Sequence, residues 1–128
     1  MHETMPELPD FDVAKWETQL RKGGLGLAVL AALWSGPIYG LEMLRRLADD
    51  GGIQVPEGTI YPLMNRLKAD GLITSEWVES DAGHPRKYYT LTAKGRGRLA
   101  GMAQSWRGFS AGLDKLIAPI PLEGHDDA

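Results

Sequence analysis

Along residues 57–70 the apolar side chains Ile60, Leu63, Met64 and Leu67 recur at i, i+3, i+4 and i+7, the spacing of one buried helix face. At about 100° per residue, Tyr61, Pro62, Asn65, Arg66 and Ala69 fall on the other face. Upstream, residues 10–35 read as helical, with Asp10 as the cap. The run "LGLAVLAALW" (25–34) is apolar on nearly every side and predicts deep burial. Gly23, Gly24 and Gly26 weaken the middle of this helix and leave open a late start or a bend. "SGP" (35–37) ends it, because Gly supplies the C-terminal turn and Pro37 cannot continue the helix. A second helix, Tyr39–Asp50, carries the stripe Met43, Leu44, Leu47 and Ala48 and stops at Gly51–Gly52.

After Asp70–Gly71 the pattern changes. "LITSEWVES" (72–80) and "RKYYTL" (86–91) are rich in β-branched and aromatic residues, and "DAGHP" between them signals a turn, so a β-hairpin is expected. Thr92 stands where a cap belongs, and 93–118 reads as a last helix stopped by Pro119 and Pro121. The fold class is mostly α with a small β-hairpin (α+β). The expected division is a flexible N-terminal tail (1–12), a winged helix-turn-helix domain (13–93), a dimerisation helix (94–118) and a disordered tail (119–128).

The last helix carries a second pattern. Leu99, Met102, Trp106, Phe109, Leu113 and Leu116 are spaced 3, 4, 3, 4, 3, a heptad seam that calls for a facing helix. Gly97, Gly101, Gly108 and Gly112 lie in the same helix, and each interior Gly costs about 0.8–1.0 kcal/mol relative to Ala. A helix so weakened depends on packing, and its glycines permit close approach. The expected interface is a homodimer seam over these six residues, joined by the first helix of the other subunit. The competing reading packs the seam on its own domain.

Two short helices joined by a tight turn resemble a helix-turn-helix, and a hairpin directly after the second makes a wing. In that frame the polar face of 57–70 meets DNA. Asn65 and Arg66 suit adenine and guanine edges. The Thr59 and Tyr61 hydroxyls suit phosphate oxygens. Net charge is −3 and the sequence pI about 5.6, which taken globally opposes nucleic-acid binding. The distribution changes that picture. Residues 84–98 hold Arg86, Lys87, Lys94, Arg96 and Arg98 with no acid, while the two end stretches 3–17 and 123–127 are acidic, with eight of the seventeen acids.

At "GTIYPLMNRLKADGLI" (58–73), followed by "GHPRKYYTLTAKGR" (83–96), the chain resembles the PadR family of bacterial transcriptional regulators. "LRKGGLGLAVLAALWSGPIYGLEML" (20–44) resembles that family's first two helices, so the likeness spans about residues 20–117. Leu41 departs from it, since "YGYE" is commoner than "YGLE". The resemblance implies a cytoplasmic homodimeric repressor on double-stranded DNA, binding an inverted-repeat operator at its own promoter or beside a transporter or detoxification gene. Carried over by position, Tyr39, Thr59, Tyr61, Pro62, Asn65 and Arg66 match the helical DNA-contacting region. His84, Arg86 and Lys87 match the wing. Pro62 admits two placements. With Thr59 as cap it sits harmlessly in the first turn; with the helix starting at Pro56 it should bend the helix.

The resemblance also implies an effector site, since some members place a Trp where Trp106 stands and stack flat aromatic ligands between the two copies. Trp106, with Met102 and Phe109, is then the candidate contact for a small aromatic effector; the plainer reading is that Trp106 fills the interface. Trp16, Trp34 and Trp77 read as core or hairpin residues. The alternative function is a winged-helix module that binds protein without reading DNA; Asn65, Arg66 and "HPRK" speak against it. No phosphate loop, nucleophile elbow or acid–base constellation points to an enzyme. The three histidines lie in two tails and the wing and there is no cysteine, so no metal or other cofactor is expected. The apolar run 25–34 is far short of the ~20 residues of a membrane span.

Overall fold

The computed structural model describes residues 11–81 and 83–122. Asp10 and most of the two predicted tails lie outside the described residues. The first helix, α1, runs unbroken over Val13–Ala32 through all three glycines. Its cap is Asp12, two residues beyond the expected one, whose carboxylate accepts from the Lys15 N–H at 3.1 Å. Burial of α1 is one-sided: Leu25, Val29, Leu30 and Leu33 enter the core, while Ala31 and Trp34 face outward. The expectation of all-round burial fails because the neighbouring elements cover only one flank of α1.

Strand β1 (Ile38–Tyr39) follows, an element that the hydrophobic pattern does not announce. Helix α2 spans Gly40–Gly51 and closes where the Gly52 N–H donates to the Ala48 carbonyl at 3.0 Å. Helix α3 spans Glu57–Ala69 with Pro56 at its cap. Pro62 is therefore inside the helix, beyond the first turn, and leaves the Gly58 carbonyl without its usual donor. Ile60, Leu63, Met64 and Leu67 are its buried residues, as the periodicity predicts.

β2 (Ile73–Val78) and β3 (Arg86–Leu91) form the expected hairpin. Its register runs from Ile73 opposite Leu91 to Val78 opposite Arg86. β1 adds to β3, with Ile38 opposite Tyr89, giving the antiparallel order β1-β3-β2. α4 occupies Ala93–Ile117, and its Thr92 cap accepts from the Gly95 N–H at 2.9 Å. The Thr92 hydroxyl also donates to the Gly71 carbonyl at 2.7 Å. That bond fixes the start of α4 to the turn between α3 and β2. Among the described residues, the result is four helices and a three-stranded sheet around one core, to which α4 contributes Leu99 and little beyond it.

Candidate nucleic-acid interface

α3 presents Thr59, Pro62, Asn65 and Arg66 to solvent, with Tyr61 half-buried beside them. Two concavities flank this surface. On the wing side, a hollow of 350 Å³ is lined by Tyr39, Leu41, Tyr61, Trp77, Arg86 and Lys87, among others. On the other side, Thr59, Pro62 and Arg66 face α1 across a groove of 590 Å³. Asn65 lies between the two on the outward face, where a base edge would be met head-on.

Tyr61 is held rather than loose. A Cβ placed on Gly40 would come within 3.0 Å of the Tyr61 hydroxyl oxygen and 3.1 Å of its ring. A side chain at position 40 would push the ring off the start of α2. Burial is the largest cause raising the Tyr61 pKa above the ordinary phenol value, followed by the Glu57 carboxylate and then Tyr89. Burial alone raises that of Tyr89. The Tyr61 hydroxyl therefore stays protonated at neutral pH and can donate to a phosphate oxygen.

The wing is fixed to α3 by the Lys68 ammonium, which donates to the Ser75 hydroxyl at 2.7 Å. The Lys94 ammonium donates to the Asp70 carbonyl at 2.9 Å and braces the same turn. The two cations predicted for the wing are divided by the pleat of β3. Arg86 and Lys87 are consecutive in one strand and so point to opposite faces of the sheet. The Arg86 guanidinium lies 4.6 Å from the centre of the Tyr39 ring, which in turn tilts against Tyr88 at 5.8 Å. The Lys87 ammonium lies 5.7 Å from the Trp77 ring centre and 5.9 Å from that of Tyr89. Both stay within cation–π range of an aromatic face, so each charge is positioned before any partner arrives. His84 is exposed in the turn, and its backbone carbonyl accepts from the Ser80 hydroxyl.

Splitting the two charges makes each testable by itself. Arg86→Ala and Lys87→Ala should each make the salt slope of DNA binding, log Kobs against log salt, shallower by about 0.9 for every phosphate no longer neutralised. A slope unchanged in both variants would remove the wing from the interface.

The C-terminal seam divides as well. Leu99 is buried and Met102 packs on the same core, so these two predicted interface residues serve their own protomer. Beyond them the seam is uncovered: Trp106 is 50 % exposed, Phe109 64 %, Leu113 41 % and Leu116 75 %. An added Cβ at Gly97, Gly101, Gly108 or Gly112 would meet nothing within 4 Å. α1 carries its own uncovered apolar residues, Val13, Trp16 and Leu20, with Phe11 just before it. Trp16 and Trp34, expected in the core, are about half exposed, Trp34 lying under the Arg96 guanidinium at 4.9 Å. Trp77 is on the hairpin as expected, but outside the core at 66 % exposure.

Of the three candidate effector contacts, the structure brings Trp106 against α1. A cleft of 310 Å³ is lined by Trp106, Leu20, Gly24, Leu27, Ala28 and Ile53, among others. Phe109 is tilted against Trp106, with ring centres 6.2 Å apart, and does not line the cleft. Met102 is drawn into the core edge instead. Among the described residues, no group of three or more His, Asp or Glu side chains is placed to hold a metal ion. No described helix is long and apolar enough to cross a membrane.

Known proteins are similar to this chain in sequence and in fold. The model of a family described as "Transcriptional regulator PadR-like family" matches residues 29–101. A solved PadR family transcriptional regulator from Eggerthella lenta is 38 % identical with a TM-score of 0.71, covering 82 % of this chain and 91 % of that one. A PadR-like transcriptional regulator from Bacillus cereus is 35 % identical, also with a TM-score of 0.71, covering 77 % and 96 % of the two chains. The transcriptional regulator Rv3488 of Mycobacterium tuberculosis is 32 % identical over 81 residues, 63 % of this chain and 74 % of the relative.

Proposed function

The chain belongs to the PadR-like family of transcriptional regulators, and from that premise we propose that it is a cytoplasmic homodimeric repressor reading an inverted-repeat operator through α3. The observation that carries this reading is the exposed face of α3, with Thr59, Asn65 and Arg66 turned away from the core and Arg86 and Lys87 placed at its flank. A helix of this diameter fills a major groove about 12 Å wide. Asn65 then meets base edges, Arg66 meets a guanine edge or phosphate, and Tyr39, Thr59, Tyr61, His84, Arg86 and Lys87 hold the register. Pro62, with no N–H to donate, offers only apolar contact.

What one chain leaves uncovered supports the dimer. Trp106, Phe109, Leu113 and Leu116 form an apolar stripe on a helix weakened by glycine, and Val13, Trp16 and Leu20 form a second stripe on α1. Each is matched by the other across a two-fold axis, α4 of one protomer against α1 and α4 of its partner. Two α3 helices so related fit half-sites one DNA turn apart, about 34–36 Å. A small flat aromatic effector would enter the Trp106 cleft and release DNA by favouring a different tilt of the subunits, which requires unequal affinity for the two states.

Asn65→Ala tests the reading role of α3. The expected result is a loss of about 1–3 kcal/mol of discrimination per half-site, measured by fluorescence anisotropy as the ratio of operator to scrambled-duplex affinity. Equal losses on both duplexes would show that Asn65 reads no base.

A further inference from the structure

The larger concavity beside α3 is not on the wing side. It is the 590 Å³ groove between α1 and α3, and its walls carry three cations, Arg21, Lys22 and Arg66, with no carboxylate among the lining side chains. On a chain of net charge −3 this is a local excess of positive charge. Two hydroxyls, Thr18 and Thr59, add hydrogen-bonding capacity, and the Arg21 guanidinium is steered by the Thr18 hydroxyl at 3.5 Å. We propose that this groove seats a DNA phosphate strand, with Arg21 and Lys22 of α1 as its cationic wall. The proposal rests on the DNA-binding reading above.

The geometry of the groove selects a duplex backbone. A helix in the major groove has a phosphate strand on each side, because helix and groove are of similar width. The wing, with Arg86 and Lys87, lies on the Tyr61 side of α3. Arg21 and Lys22 lie on the Thr59–Arg66 side. One strand of the duplex therefore meets the wing and the other meets α1. Arg66 stands on the rim shared by the outward face of α3 and this groove, so the charged surface is continuous from base edge to backbone. A DNA-binding face of this kind clamps both walls of the groove, which a wing alone does not.

The test is a salt titration of Arg21→Gln/Lys22→Gln in the whole chain, on the DNA upstream of the protein's own gene and on a scrambled duplex of equal length. Glutamine retains helix propensity, and Lys22→Gln alone separates this groove from the Trp106 cleft, which Arg21 also lines. The expected result is a slope shallower by about 0.9 for every phosphate no longer neutralised, on both duplexes, with the ratio of the two affinities unchanged. A slope equal in wild type and variant would overturn the proposal and leave the repressor reading standing. A changed affinity ratio with an unchanged slope would also overturn it, since α1 would then act through the placement of α3. If wild type binds neither duplex, the DNA reading itself fails and the groove proposal with it. Methylphosphonate substitution of single phosphates on wild type provides a readout independent of the variants' folding. Weaker binding on neutralising phosphates of both walls of the groove supports the proposal, and weaker binding on the wing wall alone overturns it.

Discussion

Gly95→Ala is expected to cost several kcal/mol of stability and to lower the melting temperature by ten degrees or more, roughly what overpacking against backbone produces in a domain of this size. Gly95 is the third residue of α4 and is buried. A Cβ there would overlap the Leu72 carbonyl oxygen, come within 2.9 Å of the Leu72 carbonyl carbon and reach 3.2 Å from a Leu91 methyl. The obstacle cannot swing aside. The Leu72 carbonyl accepts from the Thr92 N–H at 3.1 Å, and the Leu72 N–H donates to the Leu67 carbonyl at 3.0 Å. This junction joins α3, β2 and α4, so any shift displaces the wing relative to the reading helix. The same change at Gly97, where a Cβ meets nothing within 4 Å, should stabilise by up to about 1 kcal/mol through helix propensity. Thermal unfolding followed by circular dichroism separates the two. A Gly95→Ala protein that melts with wild type would refute the packing of α4 described above.

The paired substitution Phe109→Glu with Leu113→Glu is expected to dissociate the proposed homodimer while leaving each protomer folded. Neither side chain belongs to the core of its own chain, and both are substantially exposed in it. Sedimentation should therefore report a 14.0 kDa monomer of unchanged helix content. Losing the second half-site should reduce operator affinity toward the non-specific level, about 10³-fold or more. A wild-type protein that sediments as a monomer, or a variant that remains dimeric, would show that the α4 stripe is covered by something else.

Much of the fold is legible along the chain, and the reasons are local. Ile60, Leu63, Met64 and Leu67 announce α3 because helical periodicity is set by the chain's own turn. Thr92 announces the start of α4 because a cap acts within three residues. The hairpin is legible from two β-rich runs and a turn. What the sequence does not show arises between elements. β1 is two residues long, too short for any alternation, and exists only because β3 offers a free edge to Ile38 and Tyr39. The split of Arg86 and Lys87 onto opposite faces follows from strand alternation, but that Lys87 stands opposite Trp77 follows from a register that composition does not encode. Leu99 and Trp106 belong to one heptad pattern, yet the first is taken by its own core and the second is left uncovered, because α4 extends past the domain it packs on. No pattern along the chain singles out Arg21 and Lys22; only the approach of α1 to the start of α3 turns them into the wall of a groove. Pro62 shows the limit from the other side, since the sequence allows both placements and the position of the cap at Pro56 decides between them.

The proposed function stands or falls with whether α3 of a dimer reads a particular DNA sequence. Titrating the wild-type protein, across a range of salt, against the DNA upstream of its own gene and against a scrambled duplex of equal length decides it. A clear preference for the upstream DNA is expected at physiological salt, with two protomers per site, and that preference should persist as salt weakens both complexes. Equal weak binding to both duplexes, or one protomer per site, would show that α3 does not read DNA in this way.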